Sequence, residues 1–353
     1  MNNLGTVFEA IDKRRKSQGD WLDRFNLGRQ ESPYRIVLSR PGVRLRCYGV
    51  SRVGKPALLI VPAPIKAPYI WDLSRQRSVV QRALQQGLSV FLAEWAEPVG
   101  PGIDSGLNEY AGTLLTACVN AIADETRSHQ VFLAGHSLGG TLSAIYAAGH
   151  PERVAGLILI EAPLHFAEAT GSFKTMLDLP VSARSMVSDA GRVPGSLLSL
   201  VSASAAPVTF YGERFLDYLV SHADRGNLET YWRVQRWTLD ELPLPGKLFE
   251  EVVEHLYRGN RFMRGTLMIE ASRRKPADVT SPVFAVVDPF SRIIPPESIL
   301  RFCSAVRSES RQWVSYFGDQ GVALSHVGAL VGTRAHGLIW PRIFDWVHHT
   351  ARQ

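Results

Sequence analysis

The pentapeptide Gly135-His136-Ser137-Leu138-Gly139 constrains this chain more than any other stretch. An apolar run, Val131-Phe132-Leu133-Ala134, leads into it, and Thr141 to Ala148 follows with Leu142, Ile145 and Tyr146 at helical spacing, so the pattern reads strand, sharp turn, helix. A G-x-S-x-G elbow holds its Ser in a strained turn, and the flanking glycines leave room for backbone that a Cβ would block. The hydroxyl is thereby lifted clear of the sheet edge. The helix behind it brings a positive dipole end and unpaired N–H groups to the place where an oxyanion would form. Ser137 is the expected nucleophile.

Around the elbow, strands alternate with helices. Tyr34 to Ser39 and Val43 to Tyr48 flank Arg40-Pro41-Gly42, a hairpin signal. Ala57 to Val61, Ser89 to Ala93, Gly156 to Ile160 and Val283 to Val287 are continuous apolar runs, as expected of strands covered on both faces. Helices are expected from Ser78 to Gln86, Tyr110 to Ala123, Pro296 to Val306 and Thr333 to His348, with a last strand from Gln312 to Tyr316. Such alternation implies right-handed crossovers and a mainly parallel sheet. Residues 1–33 read as a helical extension, a polar helix from Leu4 to Lys16 with Trp21, Leu22 and Phe25 behind it to pin it down. Residues 34–163 and 276–353 form the two parts of the core. Between them, residues 164–275 read as a cap of short helices with no buried strand, and its Phe173, Met176, Phe210, Tyr211, Phe215, Tyr218, Tyr231, Trp232 and Trp237 either roof an acyl pocket or pack the cap itself.

Composition narrows the partners. The 353 residues contain no apolar run near the ~20 that a membrane span needs, and the N-terminus carries Lys13-Arg14-Arg15-Lys16 without a secretory apolar region. A cytoplasmic location is expected. Cys47, Cys118 and Cys303 are far apart, and the 10 histidines show no ligand spacing, so neither a metal nor another cofactor is expected. The net charge of +6 favours an anionic partner such as a CoA ester or a lipid surface. The basic residues are dispersed, which argues against nucleic acid.

A Ser hydroxyl needs a base, and elbow enzymes follow the chain order Ser, acid, His. His326, just past the last strand in Ser325-His326-Val327-Gly328, fits the base. The acid has two candidates. Counting back from Pro295, the usual carboxylate position holds Ser291, while Asp288 occupies the place of a glycine. Asp288 therefore competes with Glu161, which ends the strand after the nucleophile strand. The run Arg153 to Glu161 resembles the corresponding strand of haloalkane dehalogenases, where a Glu at that offset orients the His. For the oxyanion, Leu138 N–H is one donor and the loop after Val61 supplies the other. Pro62 and Pro64 have no N–H, which leaves Ala63 or Ile65, and Ile65 is preferred.

Several ordered motifs extend the pattern: Val61-Pro62 with Tyr69-Ile70-Trp71-Asp72-Leu73, Tyr110 and Cys118-Val119, Trp237 to Asp240 with Pro243 to Pro245, Asn260-Arg261, and Trp340 to Trp346. From about Leu58 onward the chain resembles the polyhydroxyalkanoate synthases, especially the class III catalytic subunit. The resemblance implies an α/β-hydrolase fold with a mostly parallel sheet, helices on both faces and an inserted helical cap. It implies a small acyl ester or acyl-CoA as substrate, and it is compatible with a homo-oligomer or a partner subunit. Those synthases carry Cys at the elbow, where this chain has Ser137, and Asp where it has Ser291. With Ser, acylation from a thioester is the downhill step and onward transfer to a hydroxyl is nearly level, which favours water as acceptor. The leading expectation is a serine hydrolase acting on an ester or thioester of a hydroxyacyl-like group through a Ser137 acyl-enzyme. A synthase-like acyltransferase or polymerase using hydroxyacyl-CoA comes second, and a non-catalytic scaffold or granule-associated relative third.

Overall fold

The computed structural model describes residues 3–51, 53–166, 171–173, 177 and 182–353. Eight strands form the central sheet: β1 (Tyr34–Arg40), β2 (Val43–Tyr48), β3 (Ala57–Val61), β4 (Ser89–Trp95), β5 (Val131–His136), β6 (Val154–Ile160), β7 (Val283–Val287) and β8 (Arg311–Ser315). Their spatial order is β1-β2-β4-β3-β5-β6-β7-β8. The hairpin β1–β2 and the pair β2–β4 are antiparallel, and the remaining pairs are parallel. The elbow strand β5 thus lies between β3 and β6, inside the sheet.

Alternation along each inner strand feeds two apolar layers. Leu59 and Val61 of β3 and Leu133 of β5 pack on one face, whereas Leu58, Ile60, Phe132 and Ala134 pack on the other. Each such Leu, Ile, Val or Phe side chain, fully withdrawn from water, contributes ~1.5–3 kcal/mol. The edge strand β8 is exposed except for Val314, which is what its polar sequence requires.

Helix α1 (Asn3–Asp23) is longer than the expected Leu4 to Lys16. Trp21 and Phe25 do not pin it: they are 55% and 59% exposed and stack edge-on against each other. Polar contacts hold it instead. The Asp12 carboxylate accepts the Ser196 N–H at 2.7 Å and so caps a helix at Gly195–Ala205, and Arg236 donates to Asp23 at 2.6 Å. Among the described residues between β6 and β7, the strands are short two-stranded pieces outside the central sheet. The expected C-terminal helix is present and runs without a break over residues 333–350, with a π turn at Ala335–Ile339 inside it. No helix of the described residues is long and apolar enough to cross a membrane.

Helix α2 (Leu138–Gly149) lies almost wholly inside the protein, and its first turn presses on β3. A Cβ built on Gly139 would stand 2.0 Å from the Val61 carbonyl oxygen. Gly139→Ala should therefore cost several kcal/mol, on the order of the worst core changes, and a thermal melt should show loss of cooperative folding. Gly337→Ala is the control. Nothing lies within 4 Å of its added Cβ, so removing unfolded-chain entropy should leave stability unchanged or raise it by about 0.5 kcal/mol.

Candidate active site

Ser137 stands at φ 53°, ψ −133°, a region that non-glycine residues occupy only when their surroundings force it. Its N–H donates to the Ile160 carbonyl at 3.0 Å, which ties the elbow to the end of β6. The next N–H, that of Leu138, opens α2 and enters none of the backbone hydrogen bonds found among the described residues. It is therefore available to an oxyanion, as the N-terminal amides of a helix are.

His326 sits in a 3-10 turn, Ser325–Val327, and is held at both its backbone and its ring. Its Nδ1 lies 3.1 Å from Glu161 Oε2, and its carbonyl oxygen accepts a hydrogen bond from His136 Nε2 at 2.7 Å. The two imidazoles are 4.5 Å apart, centroid to centroid. His136 is thus a second support for the His326 loop, and nothing in the sequence distinguishes it from any residue filling the second place of G-x-S-x-G. Burial holds His136 well below the usual imidazole range, so it stays neutral and donates that one bond.

Of the two acid candidates, Glu161 touches the imidazole and Asp288 does not. Glu161 follows β6 at φ 42°, and its N–H donates to the Val286 carbonyl at 3.1 Å. Asp288 instead uses Oδ1 to accept the Phe290 N–H at 2.8 Å, turning the chain after β7. Its charge reaches the ring only through space. Ser291 Oγ donates to Glu161 Oε2 at 3.4 Å and accepts the Ile294 N–H at 3.1 Å. Ser291 therefore supports a carboxylate from the neighbouring strand.

Burial without compensating solvent acts against charge on both partners of the contact. It lowers the His326 imidazole to about 4, and it raises the Glu161 carboxyl, with Asp288 adding a like charge. The neutral ring with hydrogen on Nδ1 leaves Nε2 as a proton acceptor. Glu161 Oε1 has no hydrogen-bond partner among the described residues, and a positive charge on the ring, 3.1 Å from Oε2, would favour the ionised carboxylate over the neutral acid. That is differential stabilisation of the charged state.

The loop after β3 is fixed by Trp95 Nε1 donating to the Pro62 carbonyl at 2.7 Å and by the Leu242 N–H donating to the Ile65 carbonyl at 3.1 Å. Ala63 and Ile65, the two expected donors, both face a cavity of about 680 Å³ that Ser137, Leu138 and His326 also line. Phe210, Tyr211 and Trp237 line it as well, whereas Tyr218, Tyr231 and Trp232 pack on one another, and Phe215 is exposed. Met176 and the Phe173 side chain lie outside the described residues. The sequence reading did not anticipate that α1 contributes Phe8, Ile11 and Arg15 to this cavity. Its basic run served there only to argue against a leader peptide.

A family described as the alpha/beta hydrolase fold matches residues 57–313. The chain is 31% identical over 290 residues to a poly(3-hydroxyalkanoate) polymerase subunit PhaC from Haloferax mediterranei, covering 82% of this chain and 58% of that protein. The subunit from Haloarcula marismortui is 27% identical, with 82% of this chain and 60% of its own length covered. This chain therefore spans only about three fifths of those two relatives. The subunit from Allochromatium vinosum is 24% identical, covering 90% of this chain and 88% of its own. Among solved structures, the enol-lactonase from Burkholderia xenovorans superposes with a TM-score of 0.54 at 13% identity, covering 90% of this chain and 100% of that one. A Thermogutta terrifontis esterase gives 0.53 at 15% identity, with 91% and 99% covered. At these identities the structural likeness speaks for the fold.

Glu161→Gln should slow fluorophosphonate labelling of Ser137 by about 10³–10⁴, and Asp288→Asn by less than about tenfold. Adding Ser291→Asp to Glu161→Gln should restore part of the rate. The acid limb of the labelling profile should lie below the ordinary imidazole value of 6.5, because the lowered ring keeps its base form as pH falls. His136→Leu leaves a buried carbonyl unpaired, at a cost of about 1–3 kcal/mol in the melt, and should slow labelling with it.

Proposed function

The chain belongs to the alpha/beta hydrolase fold family, and from that premise we propose that it is an acyl-transfer enzyme that loads a hydroxyacyl group from a CoA thioester onto Ser137 and passes it to a hydroxyl acceptor. The observation that carries this reading is similarity to poly(3-hydroxyalkanoate) polymerase subunits over most of this chain. These relatives favour transfer over the hydrolysis that the sequence alone puts first.

The steps follow from the residues. His326 Nε2 takes the Ser137 proton as Oγ attacks the thioester carbonyl, and the N–H groups of Leu138 and Ile65 hold the oxyanion. Collapse breaks the C–S bond, and the thiolate leaves with the proton from His326. An incoming hydroxyl then gives its proton to His326 and attacks the Ser137 ester. Ser137 recovers its proton as the new ester departs. Glu161 keeps the ring in the required tautomer throughout and offsets its positive charge at each transfer. A cavity of about 680 Å³ is within the usual range for a small-molecule site, and its apolar roof suits an acyl chain.

One observation favours a second reading. A Ser137 oxoester and the product oxoester are close in energy, so transfer to a hydroxyl is nearly level, and water, being abundant, competes as acceptor. Incubation with 3-hydroxybutyryl-CoA and analysis of products separates the two. Oligomeric ester supports transfer, and free hydroxy acid with stoichiometric thiol supports hydrolysis. In either case Ser137→Ala should abolish thiol release, and a covalent hydroxyacyl adduct at Ser137 should be visible by mass spectrometry. Persistence of release in Ser137→Ala would remove both readings.

A further inference from the structure

An acyl pocket has no need of charge, yet one wall of this cavity carries three cations. Arg15 comes from α1, Lys66 from the loop that follows β3, and Arg214 from the helix Arg214–Ser221, and all three line the same cavity as Ser137. They gather around the segment Thr238 to Glu241. Lys66 Nζ donates to Glu241 Oε1 at 2.7 Å and to the Thr238 carbonyl at 2.8 Å. Arg15 Nη2 donates to the same carbonyl at 2.9 Å, and its Nε lies 3.1 Å from Glu241 Oε2. Arg214 Nη2 donates to the Thr238 hydroxyl at 3.3 Å, and the Tyr231 hydroxyl lies against the same guanidinium.

Charge does not balance here. Among the described residues, Glu241, with a side chain 3% exposed, is the one carboxylate paired with Arg15 and Lys66. Arg214 has no carboxylate partner among the described residues. Asp240, next in the chain, is turned to Arg236, Arg29 and Tyr69 instead. Burial pushes the Lys66 ammonium down to about 8 even with Glu241 beside it, and Arg15 and Arg214 push in the same direction. Like charges held together out of water are costly unless an anion joins them. Spare donors remain as well: Lys66 has an N–H beyond the two it uses, and the five N–H groups of Arg214 exceed what the Thr238 and Tyr231 hydroxyls accept.

We propose that Arg15, Lys66 and Arg214 form an anion subsite of the catalytic cavity that binds a phosphate group on the leaving-group arm of the acyl donor. This rests on the thioester reading above. The excess of two positive charges left by Glu241 matches a phosphate monoester or diphosphate better than a single carboxylate, and guanidinium forks suit phosphate geometry. Lys66 follows Ile65 directly, so the subsite would couple donor binding to the loop proposed to hold the oxyanion.

Calorimetric titration of the full chain with CoA, pantetheine and inorganic pyrophosphate tests this without requiring turnover. CoA should bind at least about tenfold more tightly than neutral pantetheine, pyrophosphate should compete with it, and the advantage should shrink as salt rises. Arg214→Ala should weaken CoA by about tenfold and leave pantetheine unchanged, with Arg214→Lys intermediate. Equal affinity of the wild-type chain for CoA and pantetheine overturns the proposal, as does unchanged CoA affinity in Arg214→Ala. If that variant does not fold, the wild-type comparison and its salt dependence decide. Absence of acyl transfer beside salt-sensitive CoA binding would count against the proposed reaction and leave the subsite standing.

Discussion

The contact between Glu161 and His326 spans 165 positions of sequence and joins two segments that have no other reason to meet. It depends on β6 ending where it does. The Glu161 N–H is held by Val286 of β7, and the Ser137 N–H is held by Ile160 of β6, so the parallel ladder sets Ser137 and Glu161 at neighbouring strand ends. Both residues lie at positive φ. Two strained residues at adjacent strand ends persist because the buried strands on each side over-determine them.

His326 is secured differently. Its turn is short, and the ring would be free to swing if the 3.1 Å contact to Glu161 were its only tether. His136 adds a hydrogen bond to the backbone of the same residue, so the elbow that carries Ser137 also fixes the loop proposed to carry its base. Ser137 and His326, the proposed nucleophile and base, are therefore positioned by one rigid unit, which is the arrangement that precise geometry requires.

The N-terminal helix is part of the same construction. Its apolar residues Phe8 and Ile11 face the cavity, while Asp12, Arg15 and Asp23 fasten it to segments on the far side of the sheet sequence. Through Arg15 and Glu241 it is linked to Lys66 and so to the loop after β3. Charge, more than apolar burial, attaches this helix. Its contribution to stability is accordingly modest, since partly exposed ion pairs contribute little each, and its larger effect is on the shape and charge of the cavity.

Local chemistry was enough to read the elbow, the apolar strands, the parallel sheet and the place of His326 in the turn past the last strand, because glycine spacing, alternation and chain order are properties of short stretches of chain. The choice between Glu161 and Asp288 was not. Both end buried strands, and only the direction in which each side chain leaves its strand separates them: Asp288 turns back to its own backbone, while Glu161 points across to the imidazole. The roles of His136, Ser291 and Arg15 were likewise invisible, since each acts on a residue more than a hundred positions away, and pairings of that range are made by the closed fold and leave no pattern in the sequence around them.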